Sequence, residues 1–129
     1  PTRRSSDLGM NVFSFAISRP PKSIESFLAD YNLDRNVDID YFLIHQANKM
    51  IVDRIVKKLK LPQEKVSYNL EEFGNLGGAS IPSLMVTRLR GQLLSKETTL
   101  LMSSFGLGLT WGTMWMKTKP MIIPEIVIM

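Results

Sequence analysis

The feature that most constrains the fold is a junction between a buried strand and an amphipathic helix. The nearly continuous apolar run Ile39–Ile44 is typical of a strand that is covered on both faces. Four residues, His-Gln-Ala-Asn at 45–48, connect it to a predicted helix over 47–60, in which apolar residues recur every four positions. Open α/β folds build their sites at the carboxyl edge of the sheet, so the junction predicts a site at His45, the single histidine.

The remaining strand and helix signals alternate along the chain. Residues 10–17 fit either a strand or a short buried helix, and Ser23 is a predicted N-cap for a helix over 24–31. Further predicted elements are a strand at 66–70, a helix that Ser80 caps and that reaches about residue 93, and strands at 98–104 and 109–118. The apolar stripe predicted for that helix consists of Leu84, Met85, Leu89 and Leu93. The succession β-α-β-α-β-β predicts an α/β fold with a mixed sheet, parallel at first and ending in an antiparallel hairpin.

Length and composition set the domain organisation. With 129 residues the chain has the size of one domain, which we place at 10–118, between a polar leader or cut edge at 1–9 and an apolar tail at 119–129. The tail is too short to span a bilayer, so we expect no membrane segment. Because the first residue is Pro1, the chain is expected to be either processed or a piece of a longer protein.

The charge and cysteine content limit the chemistry. Sixteen Lys and Arg against twelve Asp and Glu give a net charge of +4, which favours acidic partners but is too weak to predict nucleic-acid binding. The chain has no cysteine, so it cannot supply a disulfide, a thiolate metal site or a cysteine nucleophile. We expect no metal.

Three short segments could carry chemistry, and each also has a purely structural interpretation. His45 could be a packed structural residue. Alternatively, its imidazole could donate a hydrogen bond into a crevice, and the pKa of the imidazole suits proton chemistry near neutrality. Asn75 could be a turn residue among glycines or a carboxamide that points toward a ligand. The turn at 105–108 could be a simple hairpin or could aim a backbone N–H at an oxyanion.

A basic face on the predicted helix is the fourth candidate. It could be a solvated surface or a docking site for an acidic protein. The residues that we assign to it are Lys49, Arg54, Lys57 and Lys58.

The order of these segments is more specific than any one of them. HQAN at 45–48, GNLGGASIP from Gly74 and FGLGLTWG from Phe105 together resemble the C-terminal half of β-ketoacyl-acyl-carrier-protein synthase III, a thiolase-fold condensing enzyme. The resemblance covers about residues 9 to 117, including the lead-in to the buried strand.

The resemblance implies a decarboxylative Claisen condensation in cytoplasmic fatty acid biosynthesis, with acyl-CoA and malonyl-acyl-carrier protein as substrates and no further cofactor. The primer loads onto a cysteine, and malonyl-carrier protein then loses CO₂ and attacks. The family's histidine and asparagine map to His45 and Asn75, two neutral donors to the enolate oxygen. The family's second oxyanion donor maps to the backbone N–H of Leu107.

The sequence departs from the family pattern in three places. The nucleophilic cysteine is absent, because it belongs to the N-terminal half, so this piece is expected to be inactive alone. Met50 stands where many members have an arginine used in carrier or CoA contact, and Leu76-Gly77 replaces a common Thr-Ser.

The implied partners are therefore acyl-carrier protein and the missing half, with a homodimer or self-association through an exposed apolar face. Two alternatives stay open. One is a condensing enzyme of specialised metabolism, and the other is a non-catalytic module that binds acyl-carrier protein.

Overall fold

The protein is described from a computed structural model that covers residues 5–127, with side chains from residue 11. One mixed sheet lies at its centre, with strands β1 (Tyr41–Ile44), β2 (Thr98–Gly106) and β3 (Thr110–Thr118) side by side in that order. Strands β1 and β2 are parallel, and β2 and β3 form an antiparallel hairpin. The predicted α/β class with a mixed sheet is thereby confirmed.

Six α-helices of the described chain pack on this sheet or connect its strands. They are α1 (Ser5–Ala16), α2 (Arg19–Asp30), α3 (Lys49–Leu59), α4 (Leu70–Phe73), α5 (Ser80–Arg88) and α6 (Arg90–Ser95). The stretch 10–17, ambiguous in sequence, is thus largely helical. Helix α1 starts at Ser5 and crosses the boundary predicted after residue 9, while the proposed division into leader, domain and tail stays a prediction.

Helix α2 starts earlier than the sequence predicts. It begins at Arg19, and Pro20 and Pro21 lie in its first turn, where a missing N–H costs no helical hydrogen bond. The prediction of Ser23 as N-cap is therefore wrong. Ser23 lies inside the helix, and its hydroxyl shares a 2.7 Å hydrogen bond with the hydroxyl of Thr113 in β3.

The strand predicted at 66–70 is also wrong, because it is reduced to a single parallel bridge between Val66 and β1. Beyond that bridge, a side chain takes the place of a strand neighbour. The carboxamide of Gln46 donates to the Ser67 carbonyl over 3.5 Å and accepts from the Asn69 N–H over 3.2 Å. These backbone groups are therefore paired without a fourth strand.

The helix predicted from Ser80 to about residue 93 is divided in two. The break is at Leu89, whose φ of −116° and ψ of 5° depart from helical values. The predicted apolar stripe is preserved across the break, because Leu84, Leu89 and Leu93 are buried and the partly buried Met85 packs against the same cluster. Ser80 is the first helical residue rather than the N-cap, and its hydroxyl accepts the N–H of Gln46 over 2.7 Å.

Apolar side chains pack on both faces of β1, as its sequence predicts. Phe42 and Ile44 join the cluster beneath α1, α2 and α3, while Leu43 joins the cluster beneath α5 and α6. Each of these side chains is at most 1% exposed, and burying one contributes about 1.5–3 kcal/mol. The central strand, and with it the position of His45, is therefore held from both sides.

The other edge of the sheet has less cover. Strand β3 is the last strand in the described sheet, and it exposes Trp111, Met114 and Trp115 to 46%, 59% and 38%. In the described part of the tail, Ile123 packs in the cluster beneath α5 and α6, while Ile122 is exposed. Within residues 5–127 no helix is both long enough and apolar enough to cross a bilayer.

Candidate active site

His45 lies immediately after β1, at the carboxyl edge of the sheet. Its backbone N–H donates to the carbonyl of Ser103 in β2 over 2.9 Å, which continues the parallel ladder by one residue. The side chain is only 9% exposed, and its ring meets the ring of Phe105 edge-on at 5.1 Å. The imidazole is therefore fixed by the strand behind it and by an aromatic wall beside it.

Burial also sets the charge of this imidazole. Desolvation lowers the pKa of His45 below its ordinary value of 6.5. Its Nδ1 atom is buried and has no hydrogen-bond partner among the described residues, so no neighbouring group there stabilises the protonated form. At neutral pH the ring is therefore uncharged and carries one N–H donor.

Asn75 lies in the loop between α4 and α5. Gly74 and Gly77 adopt φ values of 67° and 58°, a left-handed conformation that favours glycine. The Asn75 Oδ1 atom accepts the N–H of Gly77 over 2.9 Å, which closes a local turn. Because this bond uses the carboxamide oxygen, the Nδ2 group stays available as a donor.

The hairpin between β2 and β3 contributes the third predicted residue. Leu107 is 91% exposed, and Gly108 has a φ of 116°, so the turn needs glycine at that position. The Thr110 hydroxyl donates to the Leu107 carbonyl over 3.1 Å and braces the turn. Since the Leu107 side chain extends into solvent, a role for its backbone N–H does not depend on which side chain it carries.

These three segments meet at one groove. His45, Asn75 and Leu107 all line a depression of about 620 Å³, together with Phe105 and Trp111. His45, Asn75 and Leu107 are thirty or more positions apart in the sequence, so the fold brings them together. The structure thus brings the three predicted residues, His45, Asn75 and Leu107, to a common cavity, while their catalytic roles stay predictions.

The basic residues of α3 lie elsewhere and do not line this groove. The helix starts at Lys49, after the Asn48 side chain accepts the N–H of Ile51 over 2.9 Å. Arg54 lies 6.0 Å from the ring of Phe13, and all four predicted docking residues are exposed.

Local contacts restrain two of these lysines. Lys49 pairs with Asp53 over 2.8 Å, and that carboxylate also accepts the hydroxyl of Tyr68. The Nζ atom of Lys58 is 3.3 Å from the carbonyl of Ile17. The exposed Met50 lies on the same surface, in a shallow depression of about 420 Å³ that Arg54 also lines.

Comparison with known proteins decides the family. The family model of the 3-oxoacyl-[acyl-carrier-protein (ACP)] synthase III C terminal matches residues 28–118. The chain belongs to this family. The match covers β1, the loop of Asn75 and the β2–β3 hairpin, which are the elements that form the groove.

Individual synthase III proteins are similar over most of the chain. The Beta-ketoacyl-[acyl-carrier-protein] synthase III of Microcystis aeruginosa is 43% identical over 104 residues, which are 81% of this chain and 31% of that protein. The crystal structure of a 3-oxoacyl-(acyl-carrier protein) synthase from Burkholderia xenovorans superposes with a TM-score of 0.85 at 34% identity, covering 91% of this chain and 33% of that one.

A synthase from a polyketide pathway has the same fold. The priming β-ketosynthase of the R1128 polyketide biosynthetic pathway has a TM-score of 0.70 at 31% identity, covering 87% of this chain and 34% of that one. The chain thus spans about a third of the length of the synthases it matches.

Two groups of residues near the site were not assigned from the sequence. Phe105 and Trp111 form the apolar wall of the groove, a role that the motif from Phe105 does not predict for their side chains. Gln46 and Ser80 form a buried contact behind the groove. The signal for Gln46 in the sequence is a polar residue two positions after a buried strand, because a buried polar residue must find a partner.

The lowered pKa of His45 gives the first testable expectation. Proton NMR titration of the C2 proton should give a midpoint below 6.5, and the signal needs no assignment because the chain has one histidine. The unfolded chain then binds a proton that the folded chain excludes, so the free energy of unfolding should decrease as pH falls below about 6.5. His45→Ala should lose both effects, and a midpoint at or above 6.5 would contradict the expectation.

Proposed function

We propose that the protein to which this chain belongs is a 3-oxoacyl-[acyl-carrier-protein] synthase III, in which the groove at His45 and Asn75 decarboxylates malonyl-acyl-carrier protein. The observation that carries the proposal is that these two donors line one cavity, thirty residues apart in the chain. Membership of the synthase III family supports it. Release of CO₂ from malonyl-carrier protein, with and without the His45 side chain, tests it.

The first step of the proposed reaction is decarboxylation of the malonyl thioester. When the bond between the malonyl α-carbon and its carboxylate breaks, CO₂ leaves and the electron pair passes into the thioester as an enolate. The imidazole N–H of His45 and the carboxamide N–H of Asn75 donate to the enolate oxygen and stabilise the developing charge. Neutral donors serve this role, so the proposed step uses no metal or cofactor beyond the two substrates.

The condensation completes the cycle. The enolate carbon attacks the carbonyl of an acyl group held on a cysteine. The resulting oxyanion accepts a hydrogen bond from the backbone N–H of Leu107, and the carbon–sulfur bond then breaks to release the thiolate. The apolar ring of Phe105 beside His45 lowers the local dielectric, which strengthens donation from the imidazole. We place the reaction in the cytoplasm, where acyl-CoA and carrier protein meet.

The cysteine has to come from another part of the protein. This chain has none, and it spans about a third of the length of its relatives. We propose that an N-terminal half carries the cysteine to the groove and covers the exposed face of β3. A single reading frame that encodes such a cysteine upstream of Pro1 supports the proposal, and its absence favours a non-catalytic carrier-binding module instead.

The similarity to the R1128 priming enzyme keeps a second candidate function open. A condensing enzyme of specialised metabolism would share the donors and differ in the primer that it accepts. Rates with acetyl-CoA and with longer acyl-CoA primers, compared in the protein that includes the cysteine, separate the two.

We further propose that the exposed basic residues of α3 dock the acyl-carrier protein. Reversing Lys57 and Lys58 to glutamate in the longer protein should raise the KM for malonyl-carrier protein by about tenfold at low salt, because an acidic partner then meets like charge. The kcat should be unchanged, because neither lysine lines the groove. Steady-state kinetics at two salt concentrations measures both.

The matched control reverses two exposed lysines away from α3, Lys96 and Lys119, and leaves the net charge of the two variants equal. It should keep the KM of the unaltered protein. Equal effects of the two double variants would show that net charge, rather than the α3 surface, determines carrier affinity.

A further inference from the structure

Gln46 is a buried polar residue directly beside the proposed donor His45. It is fully buried, and its backbone N–H and both polar atoms of its carboxamide have hydrogen-bond partners. The backbone N–H donates to the Ser80 hydroxyl over 2.7 Å, and Nε2 donates to the Ile44 carbonyl over 2.9 Å. The Oε1 atom accepts the backbone N–H of Asn69 over 3.2 Å.

Two of these partners mark the ends of the segment that carries Asn75. Asn69 immediately precedes α4, Ser80 begins α5, and both residues are buried. Between them, eight of the nine residues from 71 to 79 are exposed. The segment is therefore anchored at its ends, and both anchors connect to the residue that follows His45.

The anchors are themselves held in place. Asn69 Nδ2 donates to the hydroxyls of Ser83 and Thr87 over 2.9 and 3.2 Å, and the Ser83 hydroxyl donates to the Ser80 carbonyl over 2.6 Å. These bonds tie the start of α4 to the first two turns of α5. Because the two ends of the loop are linked in this way, Gln46 contacts a rigid pair rather than two independent segments.

We infer that Gln46 is a positioning residue, which sets the separation of the His45 imidazole and the Asn75 carboxamide by holding both ends of the Asn75 loop against the end of β1. The inference rests on the proposed function. Gln46 itself does not line the groove, so it acts through the two donors. A displacement of about 1 Å between catalytic groups can cost roughly a hundredfold in rate, so the contact matters for chemistry as well as for folding.

The test uses the longer protein that includes the cysteine, and two variants that remove different parts of the contact. Gln46→Met keeps the length of the side chain and removes both polar atoms, while Ser80→Ala removes only the acceptor of the Gln46 N–H. Malonyl decarboxylation should fall about tenfold to a hundredfold in Gln46→Met and less in Ser80→Ala. Acylation of the cysteine by acyl-CoA, which does not use the two donors, should stay within about twofold.

The control is Thr98→Val, at the end of β2 that is remote from the groove. It removes a buried hydroxyl and the 3.2 Å hydrogen bond that this hydroxyl donates to the Lys96 carbonyl. It should leave both rates unchanged. The inference is overturned if Gln46→Met and Ser80→Ala lower both rates together, or if both variants keep full decarboxylation while His45→Ala loses it. Full decarboxylation by His45→Ala would instead overturn the proposed function, and the inference with it.

Discussion

His45→Ala, made in the longer protein that supplies the cysteine, should slow malonyl decarboxylation by about two to three orders of magnitude, the usual cost of an oxyanion donor. Asn75→Ala should have an effect of similar size. Each change removes an N–H that charge development at the thioester oxygen requires, and neither touches the cysteine. Release of CO₂ from malonyl-carrier protein measures the loss.

The double variant tests whether the two donors act on one oxygen. Residues that stabilise the same charge as a unit give non-additive losses, so the double variant should be slower than either single variant by much less than the product of the two effects. Two donors to different atoms would give multiplied losses. Asn36→Ala, an exposed asparagine far from the groove, serves as the matched control and should retain full activity. Near-normal decarboxylation in both single variants would reject the assignment.

Local signals made β1 and α3 predictable from the sequence. A strand that is apolar on both faces needs helices on both sides, and the clusters around Phe42 and Leu43 supply them. The end of the strand and the start of the helix are likewise encoded within a few residues, since Asn48 caps the N–H of Ile51. The position of His45 at the sheet edge follows from these two facts.

The elements that were wrong depend on contacts between distant residues. The strand predicted at 66–70 is replaced because the Gln46 carboxamide pairs with backbone more than twenty residues away. Ser80 resembles an N-cap, yet its hydroxyl is taken by the backbone of Gln46, 34 residues earlier. The hydrophobic periodicity of the sequence does not predict such a contact, because a single residue makes it and no repeating pattern marks it.

The candidate site was predictable only in part for a similar reason. Taken alone, His45 was as compatible with a packed residue as with a site, and Asn75 was more typical of a turn residue. The order of the three motifs was therefore needed to favour a site. The structure adds that their segments meet at one groove with Leu107. It also adds that Phe105 and Trp111 form an apolar wall of that groove.

The exposed face of β3 leads to the second large expected effect, which is that this chain alone should self-associate. The strand leaves one edge of the described sheet unpaired and presents two tryptophans and a methionine to solvent. A free edge with apolar side chains is a template for a second chain. Trp115→Lys and Met114→Lys, on opposite faces of the strand, should each weaken association by about thirtyfold or more, the cost of losing an interface anchor of roughly 2 kcal/mol.

Sedimentation velocity over a range of concentrations measures this association. Val37→Lys is the matched control, because Val37 is 76% exposed in the turn before β1 and away from β3. It should leave the dissociation constant unchanged. A chain that stays monomeric at every concentration would contradict the expectation. If the proposed N-terminal half covers the same face, adding that half should compete with self-association, and Trp115→Lys should weaken both contacts together because each buries the same edge.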